Sequence, residues 1–346
     1  MAKRKRGTAK EPREVPAQLR DRVRPPVGVV LGSPAELGHL VKALALSEPV
    51  TCYQMDLFPA ERLRNELGEA VRVVTSADLW DLPPDFQTLI YLPARSGERE
   101  LKIDMVEQAF HVLRPHGQLL VWSPYEMDAF FPALLKKIFG RVHSYFTGSD
   151  TVLASHRNGE RPRRRHEVTF QVRVAGGPSC RFLSRPGVFS YGRFDDGARA
   201  LMESVTIAPG ERVLDLGCGC GTNGVFAAQH TGPEGHIAFV DSNLRAVALA
   251  EHNARANGVA SFEAIATTRV EGLPEGSFDV VLANPPYYAH GAIARLFIER
   301  GRKMLKPGGR FHLVTRQPNE VGTLMAEEFD SLEAEERRGY VILSSS

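Results

Sequence analysis

Four consecutive residues towards the end of the chain are of types that can bind a planar amino group. Asn284, Pro285, Pro286 and Tyr287 follow an apolar stretch, 278–283, that is typical of a buried strand. An amino group conjugated to a ring or carbonyl is a poor nucleophile because its lone pair is delocalised. The Asn284 side-chain oxygen and the Pro285 carbonyl could accept its two hydrogens and draw the nitrogen towards sp³ geometry. Pro286 would stiffen the loop without adding a donor, and Tyr287 would offer a flat face on which a base can stack; an ordinary loop is the alternative.

A glycine-rich turn after an earlier apolar stretch is the second candidate site. Gly217, Cys218, Gly219 and Gly221 follow the predicted strand 213–216. Glycine permits a sharp turn and lets a ligand approach the backbone without a Cβ in the way. Residues 219–224 also satisfy Gly-x-Gly-x-x-Gly, the dinucleotide fingerprint. In an open parallel sheet, ligands bind beyond the carboxyl ends of the strands, so we expect a cofactor at this turn.

Two acidic residues favour S-adenosylmethionine over a dinucleotide as that cofactor. Asp215 comes just before the first glycine, where its carboxylate could receive the methionine ammonium, directly or through water, and would repel a pyrophosphate. Asp241, at the end of the predicted strand 237–240, could accept both ribose hydroxyls, with Ser242 beside it; a helix N-cap is the alternative role of Asp241. The sequence therefore predicts methyl transfer to an amide or aromatic amine nitrogen, driven by orientation and electrostatic preorganisation.

The elements that would position these residues are short apolar strands alternating with helical stretches, which is typical of parallel sheets with helices on both faces. The predicted strands are 27–31, 50–53, 88–92, 118–122, 213–216, 237–240, 278–283, 310–314 and 340–343, and 168–174 with 180–183 form a hairpin. A helix is predicted over 244–257, ending at Gly258. A further helix after 283 is predicted to bury one face, formed by Ile293, Leu296, Phe297, Met304 and Leu305.

The two halves of the chain repeat one another. Phe86 precedes Pro115 by 29 residues, as Phe278 precedes Pro307, and Gly32 precedes Asp56 by 24 residues, as Gly217 precedes Asp241. The first half has 32–36 in place of the glycine turn and 92–95 in place of Asn284 to Tyr287. We therefore predict an α/β fold of two tandem Rossmann-like class I methyltransferase domains, the first degenerate and catalytically silent.

Composition and charge set the predicted boundaries and partners. The expected segments are a disordered basic tail (1–26), the degenerate domain (27–156), an arginine-rich linker (157–167) and the catalytic domain (168–346). The net charge of +2 combines a surplus of +6 in residues 1–24 and of +4 in residues 157–165 with −8 elsewhere. Two basic segments on acidic domains suggest a polyanion such as nucleic acid; solvated segments are the alternative.

The remaining totals limit the class of protein. With 43% hydrophobic and 24% charged residues, and no apolar run near the ~20 residues that span a bilayer, we expect no membrane association. The basic start of the chain leads into no apolar segment, so it is not a secretory signal. Four cysteines without a Cys-x-x-Cys pair predict no disulfide framework, no metal and a cytoplasmic location. Nothing in the sequence predicts the oligomeric state.

The second half resembles the ribosomal RNA guanine-N2 methyltransferases of the "methyltransferase small" type. The likeness is carried by 186–190 (Pro-Gly-Val-Phe-Ser), 195–197 (Asp-Asp-Gly), 215–221 and 284–287. Members of that family also carry a degenerate methyltransferase-like domain ahead of the active one. The resemblance implies that Phe189, Asp195 and Gly197 contact the cofactor, that Thr267 keeps a hydroxyl near the adenine, and that the substrate is a guanine 2-amino group in ribosomal RNA or a ribosomal subunit.

Other acceptors and another class of protein stay open at this point. An adenine 6-amino group of nucleic acid and a glutamine side-chain amide of a protein suit the Asn-Pro-Pro-Tyr chemistry equally well. A non-catalytic RNA-binding assembly protein with a relict cofactor site is the alternative outside enzymes, and Asp215, Asp241 and Asn284 argue against it.

Overall fold

The computed structural model describes residues 13–286 and 291–346. It divides into two compact units, the first formed by Met1–Gln54 and Pro59–Arg164 and the second by Met55–Phe58 and Arg165–Ser346. The described residues contain two seven-stranded sheets and one separate two-stranded sheet. No helix within 13–286 and 291–346 has the length and apolar character needed to cross a bilayer.

The first unit is built around a mostly parallel sheet in the order β3-β2-β1-β4-β5-β7-β6. Its elements are α1 (Ala17–Arg20), β1 (Val27–Val30), α2 (Pro34–Leu44), β2 (Val50–Gln54), α3 (Leu57–Leu67), β3 (Val71–Thr75), β4 (Phe86–Tyr91), α4 (Arg99–Val112), β5 (Leu113–Ser123), α5 (Phe130–Phe139), β6 (His143–Phe146) and β7 (Thr151–His156), with 3₁₀ turns at Gly68–Ala70 and Leu79–Asp81. The strands β5, β7 and β6 pair antiparallel, and the other strands pair parallel.

The second unit repeats this order as β12-β11-β10-β13-β14-β16-β15. Its elements are β8 (Val168–Val172), β9 (Cys180–Ser184), α6 (Asp196–Ser204), β10 (Arg212–Leu216), α7 (Thr222–Thr231), β11 (His236–Asp241), α8 (Leu244–Ala256), β12 (Phe262–Ala266), β13 (Phe278–Ala283), α9 (Ala292–Met304), β14 (Leu305–Thr315), α10 (Pro318–Ala326), β15 (Glu333–Arg337) and β16 (Tyr340–Ser345). The strands β8 and β9 form the separate hairpin.

The duplication inferred from the sequence landmarks is confirmed by the topology of the two sheets. In both, the fourth and fifth strands begin as a pair and then shift register, after Phe86↔Leu113 in the first unit and after Phe278↔Leu305 in the second. The two shifts fall at the start of the 29-residue spacings that repeat in the sequence. The Rossmann-like α/β fold is therefore present twice.

The core of the second unit has two layers, one on each face of the sheet. Alternate strand residues, such as Val213 and Leu214, point to opposite faces. Side chains from α6, α7 and α8 pack on one face, and side chains from α9 and α10 pack on the other. This sandwich leaves the carboxyl ends of β10, β11 and β13 at one edge of the sheet.

The predicted disorder of residues 1–26 is wrong for residues 13–26, and residues 1–12 lie outside the described residues. Val15, Leu19 and Val23 are buried in the core of the first unit. Their spacing of four residues forms one apolar face, although lysine, arginine and proline dominate the composition of the segment. The guanidinium of Arg13 lies 4.3 Å from the centre of the Trp122 ring. Burial of this apolar face accounts for the ordered conformation.

The arginine-rich segment 157–167 is packed for part of its length and is not a free linker throughout. The Arg157 backbone N–H donates to the Gly117 carbonyl at 2.8 Å, and Arg161 Nη1 donates to the Ile138 carbonyl at 2.9 Å. The guanidiniums of Arg157 and Arg161 lie 5.3 and 5.8 Å from the centre of the Phe110 ring. Stacking on an aromatic face accommodates an arginine without a carboxylate partner.

Candidate functional site

The glycine turn and the Asn-Pro-Pro segment lie side by side. β10 and β13 are parallel neighbours, and Leu216 pairs with Ala283 at the end of both strands. Gly217 directly follows β10, and Asn284 directly follows β13. Both residues line one cavity, together with Phe189 and Asp195. The structure therefore brings together the two sites that the sequence analysis treated separately. Tyr287 lies outside the described residues.

The three glycines of the turn all have left-handed backbone angles, with φ of 74° at Gly217, 54° at Gly219 and 83° at Gly221. A Cβ at Gly221 would lie 3.0 Å from Ala250 in α8, so that glycine lets the turn pack against the helix. A Cβ at Gly219 would meet no atom of the described residues within 4 Å. The backbone at Gly219 is therefore open to a ligand, as the prediction requires.

Asp215 has an unsatisfied acceptor. Its side chain is fully buried, and Oδ2 accepts the Gly224 N–H at 2.8 Å. Oδ1 is buried without a hydrogen-bond partner in the described part of the chain. Burial raises the pKa of Asp215 to about 7, with a smaller contribution from the charge of Asp241, while the Gly224 N–H and the nearby Asn223 side chain act to lower it. An ammonium group would satisfy this oxygen, and because Asp215 lies beneath the turn and not in the cavity wall, the geometry favours contact through a water.

Two backbone N–H donors orient the carboxylate of Asp241. Oδ2 accepts the Gly219 N–H and Oδ1 accepts the Asn243 N–H, both at 2.9 Å. Desolvation raises the pKa of Asp241 to about 6. The N-cap of α8 is Asn243, which excludes the alternative role of Asp241. Each carboxylate oxygen keeps a lone pair, so Asp241 can still accept two ligand hydroxyls.

A second cavity lies on the other side of Gly217, and its lining includes Asp241, Ser242 and Thr267. Leu296 and Phe297 of α9 also line it. The predicted core face of this helix is therefore wrong in part: the predicted Met304 is buried, but the other buried positions of the helix are Ala294, Ile298 and Gly301. Gly217 borders both cavities, so the cavity with Asp241 and the cavity with Asn284 are neighbours, and the ring of Phe297 packs closely against Gly217.

Phe58 is a residue of this cavity that the sequence analysis did not select. It belongs to Met55–Phe58, which is part of the second unit, although Leu57 and Phe58 are also the first residues of α3, whose remaining residues belong to the first unit. The Leu57 N–H donates to the Ser242 carbonyl, and the Leu244 N–H donates to the Met55 carbonyl, both at 2.9 Å. No local sequence signal predicts this pairing, because the partners are far apart in the chain.

The segment 186–190 is held beside the site by the start of α8. Asn243 Nδ2 donates to the Gly187 carbonyl at 2.8 Å, and the fully buried Arg245 donates to the Pro186 carbonyl. Phe189 is 58% exposed at the rim of the cavity that contains Asn284. The sequence analysis missed both Asn243 and Arg245; an arginine on the buried face of an amphipathic helix was the available signal.

Two asparagines of α8 and its C-terminus hold the hairpin against this helix. Asn253 exchanges two hydrogen bonds with the backbone N–H and C=O of Leu183, and Asn257 makes the same exchange with Arg181. Asn253 Nδ2 also donates to the Cys220 carbonyl at 2.8 Å, inside the glycine turn. Asn253 thus couples the hairpin, the helix and the turn. The available sequence signal was an asparagine at helical spacing on the apolar face formed by Leu249 and Ala250.

Asn284 and Asp195 share a hydrogen bond at the mouth of the site. Asn284 Nδ2 donates to Asp195 Oδ2 at 3.0 Å, and the same oxygen accepts the Ala198 N–H at 2.9 Å as the N-cap of α6. Pro285 is buried and Pro286 is partly buried. Gly197 follows Asp195 closely and lies at the start of α6.

The cysteines of the turn are poor candidates for chemistry. All four cysteines are free, and burial raises the pKa of Cys220 to about 12 and that of Cys218 well above its usual value. A thiol that stays protonated is a weak nucleophile and metal ligand. Residues 13–286 and 291–346 contain no group of three side chains that could hold a metal ion.

Comparison with known sequences places the second unit in a described family. The methyltransferase small domain matches residues 179–344. The ribosomal RNA large subunit methyltransferase G of Streptomyces griseus is 30% identical over 304 residues, which cover 80% of this chain and 76% of that protein. The large subunit methyltransferase G of Streptomyces avermitilis is 38% identical over 134 residues, 37% of this chain. The chain spans only 35% of the length of the latter relative.

A solved structure shares the fold over nearly the whole chain. The T. thermophilus 16S rRNA N2 methyltransferase, in complex with AdoMet and guanosine, superposes with a TM-score of 0.77 at 22% identity. The superposition covers 95% of this chain and 90% of that one. This likeness supports two Rossmann-like units in the same order along the chain.

Proposed function

The chain belongs to the ribosomal RNA methyltransferases with a methyltransferase small domain, and we propose that it transfers a methyl group from S-adenosylmethionine to the exocyclic 2-amino group of a guanine in ribosomal RNA. The observation that carries this proposal is the adjacency of Asn284 and the glycine turn at the paired ends of β13 and β10. An amino group bound at Asn284 would lie beside a ligand that follows the turn.

The residues that bind the acceptor are Asn284, Pro285, Pro286 and Tyr287. Asn284 Oδ1 and the Pro285 carbonyl accept the two amino hydrogens and turn the nitrogen lone pair towards the methyl group. Pro286 leaves the loop without a competing N–H, and Tyr287 stacks on the base. This scheme needs no strong base, since the cationic amine product is acidic, and orientation and electrostatics supply the acceleration.

The cofactor residues form two groups on either side of Gly217. Asp241, Ser242 and Thr267 would hold the ribose and adenine, and the turn Gly217, Cys218, Gly219 and Gly221 would supply backbone contacts. Asp215 would receive the ammonium, and Phe189, Asp195 and Gly197 would contact the methionine part of the cofactor. S-adenosylmethionine, when bound, supplies a methyl group activated by its sulfonium. The unpaired Asp215 oxygen and the open backbone at Gly219 support this assignment.

The domain assignment follows from the loss of both motifs in the first unit. We propose that residues 168–346 are catalytic and that 27–156 are catalytically silent and serve substrate binding or stability. The relatives are named for the large or the small ribosomal subunit, so the partner is ribosomal RNA or a subunit, in the cytoplasm where ribosomes are made. The exposed side chains of Arg163 and Arg164 keep positive charge available to a phosphate backbone, in the manner of nucleic-acid-binding segments.

The test is methylation by the full chain with methyl-labelled S-adenosylmethionine on naked ribosomal RNA and on each ribosomal subunit, followed by digestion to nucleosides. We expect label in N2-methylguanosine, and none with Asn284→Ala, which keeps near-normal cofactor affinity in calorimetry. Label in N6-methyladenosine or in a protein glutamine would contradict the guanine assignment. A wild-type chain that binds no cofactor would contradict methyl transfer altogether and favour an assembly protein. Mapping ribosomal RNA from cells that lack the protein would locate the nucleotide.

A further inference from the structure

The amide of Asn284 has one accepting end and one donating end, and only its oxygen can accept a hydrogen from an amino group. Which end of the amide faces the base to be methylated is therefore determined by what the other end binds. In the structure Nδ2 donates to Asp195 Oδ2 at 3.0 Å. Oδ1 makes no hydrogen bond to the described residues and belongs to a side chain that lines the cavity. A carboxylate accepts and does not donate, so Asp195 selects this orientation of the amide.

Asp195 is itself held by the start of a helix. It is the N-cap of α6, and its Oδ2 accepts the Ala198 N–H at 2.9 Å. The following turn is anchored, because Ala198, Ala200 and Leu201 are buried. A carboxylate at a helix N-terminus is also stabilised by the helix dipole. The oxygen that binds Asn284 therefore has a fixed position.

Gly197 provides the space that this oxygen needs. A Cβ at position 197 would lie 2.9 Å from Asp195 Oδ2 and 3.0 Å from Tyr340 Cε1. The backbone at Gly197 is not in the left-handed region, so the requirement for glycine there is one of space. Asp195 and Gly197 thus act together on the position of one carboxylate oxygen.

We propose that Asp195 is a positioning residue, which holds the Asn284 amide with its oxygen towards the amino group that is methylated. This role rests on the proposed function, in which Asn284 binds the acceptor. With the amide reversed, the NH₂ of Asn284 would face the NH₂ of the base, and neither could accept. Asp195 therefore acts through Asn284 and not on the substrate itself.

Three substitutions separate positioning from folding. Asp195→Ser keeps a good N-cap but has a shorter side chain that does not reach Asn284, whereas Asp195→Asn keeps both the cap and an acceptor. We expect kcat to fall about 10- to 100-fold in Asp195→Ser, by analogy with the range seen when a metal-binding side chain loses the residue that orients it. Asp195→Asn should recover most of that kcat, and Tm should stay near the wild-type value in both variants. Because Asp195 also lines the cavity beside the glycine turn, cofactor Kd is measured in both, and any rise in Kd should be smaller than the fall in kcat. Asp195→Ala removes cap and partner together and should lose Tm as well as kcat.

Combining substitutions at the two positions gives a readout that a structural role would not move. Asn284→Asp places two carboxylates against each other, and adding Asp195→Ser removes one of them while a good N-cap residue stays at the start of α6. The facing carboxylates should alter the pH dependence of kcat in Asn284→Asp. We expect the double variant to have a higher kcat than Asn284→Asp and to lose this altered pH dependence. Wild-type kcat in Asp195→Ser, or no rescue in the double variant, would overturn the proposal. A change confined to cofactor Kd would overturn it in favour of a cofactor contact. Failure of the proposed function would be detected separately, if the wild type methylated a nucleoside other than guanosine.

Discussion

The backbone N–H of Gly219 donates to Asp241 Oδ2 at 2.9 Å, which joins the turn after β10 to the end of β11. The bond leaves Asp241 with a fixed orientation before any ligand binds. It forms at a left-handed backbone, since φ of Gly219 is 54°. The Asp241 carboxylate and the glycine turn are therefore one structural element, and changing either one should affect both.

Gly219→Ala should weaken cofactor binding more than it weakens the fold. A side chain at this φ costs about 1–2 kcal/mol of stability, and the Cβ would point into the space left for the ligand. Gly258→Ala is the matched control, because Gly258 has φ of 73° and equally open space after the end of α8, away from the site. We expect thermal unfolding to show equal losses of Tm in the two variants. We expect calorimetry to show a raised cofactor Kd only in Gly219→Ala. An unchanged Kd in Gly219→Ala would show that the ligand does not approach there.

Cofactor affinity should rise with pH between about 5.5 and 7.5. Burial raises the pKa of Asp215 to about 7 and that of Asp241 to about 6, so both carboxyls hold protons over part of this range. An ammonium and two hydroxyls bind the ionised carboxylates, so binding releases protons and Kd falls as pH rises. Calorimetry in buffers of different ionisation enthalpy measures this release. A Kd independent of pH would contradict the assignment of these two residues to the cofactor.

Asp215→Asn should stabilise the cofactor-free protein at neutral and higher pH. A carboxyl whose pKa is raised by folding holds more protons in the folded state, so stability falls as pH rises from about 4 to about 7 and stays lower above. The substitution removes that loss, so Tm should exceed the wild-type value at about pH 8 and approach it near pH 4. Cofactor affinity should fall in the same variant.

Asp279→Asn is the control of opposite sign. Burial acts to raise the pKa of Asp279, but hydrogen bonds from Lys306 and the Arg212 N–H outweigh burial and lower this pKa below its usual value. Its contribution to stability is present above the unfolded pKa and is lost as pH falls, so this variant should lower Tm at neutral pH. A gain of Tm in Asp279→Asn, or none in Asp215→Asn, would contradict the sign of the effect.

Asn253→Ala should destabilise the fold more than Asn257→Ala. Both asparagines bond the hairpin backbone in the same way, but Asn253 is fully buried and also bonds the Cys220 carbonyl. Leaving these buried groups unpaired costs about 2–3 kcal/mol, against about 1 kcal/mol at the more exposed Asn257. Denaturant unfolding measures the difference, and cofactor Kd should rise only in Asn253→Ala. Equal effects would show that the bond to the turn is unimportant.

Local patterns were sufficient for the elements that carry the site. The apolar strands β10, β11 and β13 and the helix α8 with its glycine stop were predicted, as was the hairpin of β8 and β9. The strands β3, β6, β7, β12 and β15 were not predicted. All five residues of β12 are only partly buried, and those of β15 are almost all exposed, so neither shows the apolar run on which the prediction depended.

Contacts between distant parts of the chain could not be predicted in the same way. Asp195 and Asn284 are 89 residues apart, and nothing in the spacing of either motif indicates a hydrogen bond between them. The burial of Leu19 is a similar case, because lysine, arginine and proline dominate its segment and its partners are supplied by the sheet of the first unit. Tertiary packing determines the surroundings of these residues. For Leu19, composition alone predicted the opposite, a disordered segment.

The asparagines at positions 253 and 257 also determine what the hairpin can associate with. Asn253 and Asn257 occupy the backbone groups of β9 that face away from β8, at Leu183 and Arg181. A strand whose outer N–H and C=O groups are already bonded offers no template for another strand. The β9 side of the hairpin is therefore closed to sheet extension by a second polypeptide, which protects this small two-stranded sheet from self-association.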